Sequence, residues 1–300
     1  MFCERQTLYT ILPYFNYCDF ERRRTLFIEF VKHLRTFNHI RIVVVELVGA
    51  TPLPKLRGVY KHIKFPFTSP IWIKENLINL GVHALPSSWT HVAWIDADIT
   101  FLNATWVQDT FDELSTHDIV QMFHTCVNLG PREQAFKVDK SFAYMSKDSG
   151  TPFSKTDRYG FWHPGYAWAC TRAAWTQMDG LIEWAILGSA DRHMSYALIG
   201  KVLDSAPTNI HANYKKLLSE YQNRCKGLRL SYVPGTILHH WHGSLENRKY
   251  RERWQILTHY MFNPIQDIFL TSHGLVSLTR TGNRLQKDLY EYFLGRKEDT

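Results

Sequence analysis

The segment from Val92 to Ile99 constrains the fold of this chain more than any other. Its first four residues, Val92–Ile95, are apolar, and they are followed at once by Asp96 and Asp98. A continuous apolar run of this length is typical of a strand that is buried on both faces of a parallel sheet. Ligands of open α/β sheets bind beyond the carboxyl ends of the strands. The segment therefore predicts an α/β fold with two carboxylates at its ligand-binding edge.

Strand and helix patterns alternate over the first 120 residues, which indicates βαβ units and a mostly parallel sheet. The predicted strands are Leu8–Pro13, Ile42–Val48 and the run that ends at Asp96. The predicted helices are Phe20–Phe37 and Ile73–Leu80, with Gly81 as a stop. We expect residues 52–70 to form a connection with at most a short strand, because this stretch holds several prolines.

The second half of the chain is less regular. Residues 124–162 are polar and irregular, and they predict long active-site loops. We expect a strand followed by a helix in Ala167–Met178, and an apolar run in Leu230–Leu238. Further helices are predicted over Asp191–Ile199, Leu245–Phe262 and Leu285–Leu294.

Charge and cysteine content limit the class of protein. The formal net charge is +7, which suits anionic partners such as nucleotides, phosphates or membrane headgroups. No apolar run is long enough for a transmembrane helix, and residues 1–10 lack the apolar core of a signal peptide. The five cysteines are odd in number and irregular in spacing, which favours a reducing compartment over a disulfide framework. We therefore expect a cytoplasmic protein, with peripheral membrane contact left open and the oligomeric state not predicted.

Asp96 and Asp98 are candidate ligands for Mn²⁺ or Mg²⁺, because carboxylate oxygens suit hard cations that also bind diphosphate oxygens. The alternative is that Asp96 ends a strand and Asp98 caps a turn. A later run, His239-His240-Trp241-His242-Gly243, holds three further metal-ligand side chains. On a strand, His240 and His242 would face one side and His239 the other. One of the first two could complete the metal site; the alternative is a solvent-facing, histidine-rich turn.

Two other carboxylates are candidates for binding or catalysis. Asp191 follows Gly188-Ser189-Ala190 at the start of a predicted helix, where it could deprotonate an acceptor hydroxyl. Helix capping alone would also explain it. Glu46 follows the strand residues Ile42–Val45 and could accept a hydrogen bond from a nucleobase or ribose, unless it faces solvent.

An aromatic stretch, Tyr159–Trp168, could bind a sugar. Trp162 and Trp168 offer faces that stack on sugar rings, and glycines such as Gly165 allow the backbone to come close. The alternative is that both tryptophans belong to the hydrophobic core.

Taken together, these motifs resemble the GT-A fold glycosyltransferases, over a range from about Leu8 to Tyr250. Pro13-Tyr14-Phe15-Asn16 is similar to the first-strand turn that contacts the nucleotide in family-2-like enzymes. Val44-Val45-Glu46 resembles the acidic position that meets the base. Leu77–Gly81, which includes Asn79, is similar to the helix before the Asp-x-Asp strand of β-1,4-galactosyltransferases, and Asp96-Ala97-Asp98 matches that metal motif.

The later motifs continue the resemblance in the same order. Gly165–Trp168, Met178–Leu181 and Gly188–Asp191 are similar to a galactosyltransferase-like block whose last aspartate is the base of an inverting reaction. That position is Asp191 here, but Ala190 stands where the family usually has Glu.

The run at residues 240–243 resembles the late His-x-x-Gly metal motif. This resemblance implies His240 as the ligand, with His242 as the alternative.

The resemblance implies a Rossmann-like, nucleotide-sugar-binding GT-A domain over residues 1–243. Its halves would be 1–120 for the nucleotide and 121–243 for the acceptor and catalysis, with a helical extension over 244–300 that closes the site. The implied activity is metal-dependent transfer of a sugar from a nucleoside-diphosphate sugar, with UDP favoured, to a glycan hydroxyl with inversion. The implied donor-binding residues are Tyr14, Phe15, Asn16, Glu46, Asn79, Asp96, Trp162, Gly165 and Trp168. No nucleic-acid partner is expected. A retaining transferase, a nucleotidyl- or phosphotransferase and a nucleotide-sugar-binding module remain alternatives.

Overall fold

A computed structural model describes residues 6–147 and 162–300 of the chain. The strands are β1 Leu8–Tyr14, β2 Ile40–Val48, β3 Lys61–Pro66, β4 His91–Ile95, β5 Ile99–Phe101, β6 Ile119–Gln121, β7 Thr125–Leu129, β8 Ala135–Ser141, β9 Trp162–His163, β10 Ala167–Thr171, β11 Leu230–Tyr232, β12 Thr236–His239, β13 Ile268–Leu270 and β14 Val276–Leu278. The α-helices are α1 Glu21–Leu34, α2 Lys74–His83, α3 Trp106–Leu114, α4 Phe142–Lys147, α5 Arg172–Met178, α6 Ala190–Leu198, α7 Ala212–Cys225, α8 Trp254–His259 and α9 Gln286–Leu294. Short 3₁₀ turns cover Val202–Ser205, Glu246–Arg248 and Gly282–Leu285.

The central sheet has seven strands in the order β11-β6-β10-β4-β1-β2-β3. Its pairs are parallel except the two that β10 makes with β4 and β6. The predicted α/β class with a mostly parallel sheet flanked by helices is confirmed. The connection over residues 52–70, expected to hold at most a short strand, contains β3, which forms the edge of the sheet beside β2.

Apolar residues cover both faces of this sheet, because successive strand residues point to opposite sides. On one face Ile11 and Val43 pack with Leu77 of α2. On the other face Leu12 packs with Phe27 of α1 in a second buried cluster. Burial on both faces explains the continuous apolar sequence of β4, whose last four residues are buried.

A second sheet, in the order β5-β12-β7-β8-β9, occupies much of the region that was expected to be loops. The prediction for residues 124–162 is wrong over the described part, which contains β7, β8 and α4. The cause is that β8 departs from the usual strand pattern: its buried side chains, Asp139 and Ser141, are polar, whereas Ala135, Phe136 and Val138 are exposed, although its backbone is paired with β7. Residues 148–161 lie outside the described residues.

The apolar run Leu230–Leu238 is not one element but two strands in two sheets. β11 pairs with β6 in the central sheet, whereas β12 pairs with β5 and β7 in the second sheet. Pro234 and Gly235, with φ +133° at the glycine, separate them. This crossing brings the histidines at the end of β12 beside the turn that follows β4.

The predicted helix Leu245–Phe262 is also wrong in extent, since only Trp254–His259 is α-helical. Lys249 has a left-handed backbone with φ +44°, which is incompatible with a continuous helix. After α8 the chain forms a hairpin of β13 and β14 before α9, so the C-terminal region is not purely helical. Its apolar residues, including Phe262 and Leu289, share a buried cluster with the central sheet.

No helix within residues 6–147 and 162–300 has both the length and the apolar character needed to cross a membrane. Cys18, Cys126, Cys170 and Cys225 carry free thiols.

Gly81 was expected to end α2, but it lies inside the helix. A Cβ at this position would come within 2.6 Å of Ile11 Cγ2 and 2.9 Å of Val45 Cγ2. The glycine therefore serves a close approach between helix and sheet.

We expect Gly81→Val to lower the free energy of unfolding by about 1–3 kcal/mol, because the added atoms have to displace buried strand side chains. Chemical denaturation would measure this change. Glu29→Ala, at an exposed position of α1, is the control and should change stability by less than about 0.5 kcal/mol. Equal stability of the Gly81→Val variant and the parent would contradict the proposed packing constraint.

Candidate functional site

The turn between β4 and β5 carries Asp96 and Asp98, and two backbone hydrogen bonds hold it. Asp96 N donates to Tyr166 O at 2.7 Å, just before β10. His240 N donates to Asp98 O at 2.8 Å, just after β12. The turn is thereby pinned between the central and second sheets, at the carboxyl end of β4.

Three side chains near this turn form a group that could hold a metal ion. They are Asp98, His239 and His242, with one potential ligand atom from each lying within 4.8 Å of the others. Asp98 Oδ2 lies 2.7 Å from His242 Nε2 and 3.8 Å from His239 Nε2. Asp98 Oδ1 is buried and has no hydrogen-bond partner within the described part of the chain. An orphaned carboxylate oxygen beside two imidazole nitrogens suits a Mn²⁺-class ion.

The tautomer of His239 leaves its Nε2 lone pair directed into this group. His239 Nδ1 lies 2.9 Å from Asn128 Oδ1, which can only accept, so Nδ1 carries the proton. The orientation of the Asn128 amide follows from its Nδ2, which donates to Asp139 Oδ2 at 2.9 Å. His239 and Asn128 are also register partners on β12 and β7. Such outer partners orient metal-binding histidines.

The expected pairing of His240 with His242 is wrong, since His239 and His242 share the cluster. Strand β12 ends at His239, so strict alternation of side chains does not extend to His242. The His240 ring instead bonds through Nε2 to Thr100 Oγ1 at 2.8 Å.

Asp96 is not part of the three-residue group. Its Oδ1 accepts a hydrogen bond from Lys74 Nζ at 2.8 Å, from the first residue of α2. Asp96 and Asp98 therefore point to different partners, although both follow the same strand.

The electrostatics of the two aspartates differ accordingly. Burial raises the pKa of Asp96, and the Lys74 ammonium only partly opposes this effect. Burial would also raise the pKa of Asp98, but the His242 and His239 imidazoles outweigh it and hold that pKa well below its usual range. Burial, aided by Arg248, lowers the pKa of His242 to about 4, so its imidazole is neutral at pH 7. Asp98 thus presents a carboxylate to the neutral imidazole of His242.

Two adjoining cavities open on this turn. The first is lined by Tyr14, Phe15 and Arg23 and also by Asp98 and His242. The second extends from the same carboxylates toward His163, Tyr166 and Asp191. The cationic side chains that line one or both cavities are Arg23, Lys74, Arg248, Arg253 and Arg296, and the acidic ones are Glu75, Asp96, Asp98, Asp191 and Glu298. A bound divalent cation would add positive charge to this nearly balanced set, which favours an anionic ligand.

The arginines of the C-terminal region were not predicted as site residues. Arg248 Nη2 lies 2.7 Å from His242 Nε2, and Arg248 Nε is buried without a hydrogen-bond partner among the described residues. Arg296 donates to Glu298 at 2.6 Å, and Glu298 also pairs with Arg23 at 3.0 Å. Burial alone would raise the pKa of Glu298, but Arg23 and Arg296 hold it far below its usual range. The clustering of Arg and Lys over residues 248–253 was the only sequence signal for these cavity-lining arginines.

Asp191 lies on the first turn of α6 and lines the second cavity. Its Oδ1 accepts from the backbone N–H of Arg192 at 2.7 Å. Its Oδ2 is 2.6 Å from the point where a Cβ would stand on Gly165, so a side chain at 165 would displace the carboxylate. The sequence-predicted pair Asp191 and Gly165 is therefore brought together. Asp191 and Asp98 both line the second cavity.

In the turn Tyr14-Phe15-Asn16, two side chains line the first cavity and the third stabilises the turn itself. Tyr14 and Phe15 line the first cavity. Asn16 instead bonds across its own turn, with Oδ1 accepting from Phe20 N at 3.0 Å and Nδ2 donating to Phe20 O at 2.9 Å. Its side chain shapes the entry to α1.

Glu46 and Asn79 lie outside the two cavities and bind within the protein, contrary to their predicted role as donor-binding residues. Glu46 is fully buried inside β2, where it accepts from Leu53 N at 2.7 Å and lies 2.8 Å from His62 Nε2. Asn79 exchanges hydrogen bonds with the Leu181 backbone at 2.9 and 3.0 Å. Both residues have polar side chains that satisfy buried backbone groups.

The two predicted sugar-stacking tryptophans are also core residues. Trp162 is 2% exposed and packs with Phe142 and Tyr196. Trp168 is 1% exposed, donates to Pro164 O at 2.8 Å, and lines a small inner cavity that Asp191 also lines. The earlier part of the aromatic stretch, 159–161, lies outside the described residues.

Neither a family model nor a curated protein matches the sequence. Among solved structures, the catalytic domain of Drosophila β1,4-galactosyltransferase 7 in complex with xylobiose matches with a TM-score of 0.45 and 14% identity, covering 93% of this chain and 97% of that one. The mannosyltransferase PcManGT from Pyrobaculum calidifontis, with GDP-Man and Mn²⁺, has a TM-score of 0.49 and 15% identity, covering 86% and 64%. S. aureus TarS 1–349 with UDP-GlcNAc has a TM-score of 0.45 and 11% identity, covering 80% and 60%. Similarity at this level assigns no substrate to this chain.

The choice between His239 and His240 can be tested by metal binding. His239→Ala should weaken Mn²⁺ binding by at least about 10–100-fold, since it removes a ligand rather than only an outer partner. His240→Ala, whose ring contacts Thr100, is the matched control and should bind as the parent does. Isothermal titration calorimetry or the electron paramagnetic resonance signal of free Mn²⁺ would measure both. If His240→Ala weakened Mn²⁺ binding and His239→Ala did not, the cluster of Asp98, His239 and His242 would be excluded as the metal site.

Asn128 should affect the affinity for Mn²⁺ although it is not one of the proposed ligands. Asn128→Ala removes the acceptor that fixes the His239 tautomer, and we expect Mn²⁺ affinity to fall by about 10–100-fold. Asn103→Ala, which loses a contact to Asp109 instead, is the control. Unchanged affinity in an Asn128→Ala protein with a normal thermal transition would refute this role.

Proposed function

We propose that this protein is a metal-dependent GT-A-type glycosyltransferase that moves a sugar from a nucleoside-diphosphate sugar, with UDP favoured, to a glycan hydroxyl. One observation carries the proposal. The group of Asp98, His239 and His242 opens on the same pair of cavities as five cationic side chains and the carboxylate of Asp191. A transferase of this kind needs a place for a charged diphosphate and, beyond it, a base for the acceptor.

Asp98, His239 and His242 would hold the metal ion, and Mn²⁺ suits their mixture of oxygen and nitrogen atoms better than Mg²⁺ does. When bound, such an ion neutralises the charge that develops on a leaving diphosphate. Arg248 is placed to add to this effect, since its guanidinium lies against His242 and has an unpartnered Nε among the described residues. The role of Asp96 is separate, because Lys74 holds it.

Tyr14 and Phe15 would form the nucleoside side of the first cavity, next to Arg23. Arg23 lies 4.8 Å from the centre of the Phe15 ring, which holds the ring in place by a cation–π contact. The C-terminal residues Arg296 and Glu298 would close this cavity from the other side.

Asp191 would accept the proton of the acceptor hydroxyl as that oxygen attacks the anomeric carbon. It lines the second cavity, which Tyr14 and Phe15 do not line, and its Oδ2 faces Gly165. A base on the far side of the sugar from the diphosphate gives inversion at the anomeric carbon. In a retaining enzyme of the same fold, Asp191 would only position a substrate.

A panel of UDP-, GDP- and dTDP-sugars, each with and without Mn²⁺, tests the proposal through release of the nucleotide. We expect metal-dependent release from at least one donor, and nuclear magnetic resonance of the product would give its anomer. Transfer of the nucleotidyl group with release of the sugar 1-phosphate would indicate a nucleotidyltransferase instead. Binding of UDP and Mn²⁺ without turnover of any donor would indicate a binding module.

Asp191→Asn should lower kcat by about 10²–10⁴-fold, because an amide cannot accept the acceptor proton. Nucleotide affinity should stay within about twofold of the parent value, since Asp191 does not line the first cavity. Calorimetry with UDP and Mn²⁺, run beside the turnover assay, separates the two effects. Loss of nucleotide affinity with retained kcat would reverse the assignment.

A further inference from the structure

Glu75 is a buried carboxyl group that the sequence did not single out. It is the second residue of α2, follows Lys74, and is 5% exposed. It lines the second cavity and also the inner cavity that Asp191 lines. It therefore lies where the proposed site narrows toward the base.

The Trp72 indole holds this carboxyl in place. Trp72 Nε1 donates to Glu75 Oε2 at 3.1 Å. Trp72 is itself fixed, because its backbone N–H donates to Ile186 O at 2.7 Å and its ring meets Phe15 edge-on at 5.4 Å. Trp72 lines both the first and the second cavity, so Glu75 is anchored at the junction between them.

No cationic side chain in the described ranges 6–147 and 162–300 lies within ion-pair distance of Glu75. The neighbouring Lys74 directs its ammonium to Asp96 instead. Burial is the main cause that raises the pKa of Glu75 to about 7, and Asp191 adds to the rise while Lys74 opposes it. The partners of Glu75 among the described residues are the Trp72 indole and its own backbone N–H, so a ligand in the second cavity would add hydrogen bonds that offset the cost of its burial.

The position of Glu75 selects the kind of ligand. The second cavity that Glu75 lines is also lined by Lys74 and Asp96, next to the proposed metal and diphosphate site, and by Asp191, the proposed base. In an inverting transfer, the sugar that moves occupies the space between leaving group and base. Sugar hydroxyls both donate to and accept from carboxyl groups, so they match a carboxyl group that lines this space.

We propose that Glu75 binds a hydroxyl of the sugar that is transferred, with Trp72 orienting its carboxyl group. This inference rests on the proposed function and adds a residue that selects the donor sugar. A site built to bond a hydroxyl discriminates against sugars that lack it, because its polar group is then left unpaired.

The test compares the affinity for a nucleotide sugar with that for the matching nucleotide. For the parent protein, Glu75→Ala and Glu75→Gln, calorimetry with Mn²⁺ would give Kd for UDP and for UDP-glucose, UDP-galactose, UDP-N-acetylglucosamine and UDP-xylose. We expect Glu75→Ala to weaken binding of the preferred sugar nucleotide by about tenfold, or about 1.4 kcal/mol, with Kd for UDP unchanged. Glu75→Gln keeps an acceptor and a donor and should lose less. Glu29→Gln, at an exposed position of α1, is the matched control and should change neither value.

The outcomes separate this inference from the proposed function. If the parent binds no nucleotide and no nucleotide sugar with Mn²⁺, the proposed function fails and the inference fails with it. If the parent binds them but Glu75→Ala leaves the ratio of the two Kd values unchanged, only the inference is overturned. A fall in kcat with an unchanged ratio would also overturn it, since Glu75 would then act on the chemical step. The thermal transition of each variant shows whether it is folded. If Glu75→Ala is misfolded, the ratio of the two Kd values for Glu75→Gln decides the test.

Discussion

Two backbone hydrogen bonds, one from Asp96 to Tyr166 and one from His240 to Asp98, determine where everything else in the site can lie. They join the turn after β4 to β10 in the central sheet and to β12 in the second sheet. Because each bond involves main-chain atoms, the positions of Asp96 and Asp98 are set by the pairing of strands and not by side-chain choice. The carboxylates therefore stand at a junction that the rest of the core supports.

The same junction explains why so much of the site is assembled from distant parts of the chain. β12 brings His239 opposite Asn128 of β7, α6 brings Asp191 to Gly165, and α2 brings Lys74 to Asp96. Each contact links elements that are far apart in sequence, so each depends on the topology of both sheets. A local change at one element would be felt by charged groups on another, since buried charges are only weakly screened.

The sequence predicted the central sheet and the carboxylates at its edge, but not which side chains form the cluster with Asp98. The apolar run before Asp96 predicted β4 because burial on two faces leaves a continuous apolar signal. His239 was assigned to the wrong face because β12 ends at that residue, and no local pattern marks that end. Glu46, Asn79 and Trp162 were given functional roles because a buried polar or aromatic residue looks the same in sequence whether it meets a ligand or the core. Arg248, Arg296 and Glu75 were missed since their positions depend on long-range packing.

The tight contact of Gly81 with Ile11 and Val45 has a consequence for motion. It prevents α2 from sliding over the sheet, so Lys74 and Glu75 keep a fixed relation to Asp96. Arg248 and Arg296 belong instead to the segment after residue 244, which reaches the first cavity from outside the central sheet. The groups nearest the sheet are therefore preorganised, whereas the positions of Arg248 and Arg296 depend on their contacts with His242 and Glu298. In kinetic terms, changes in the outer segment would alter the residence time of an anionic ligand, and the contact of Arg248 with His242 would carry part of their effect to Asp98.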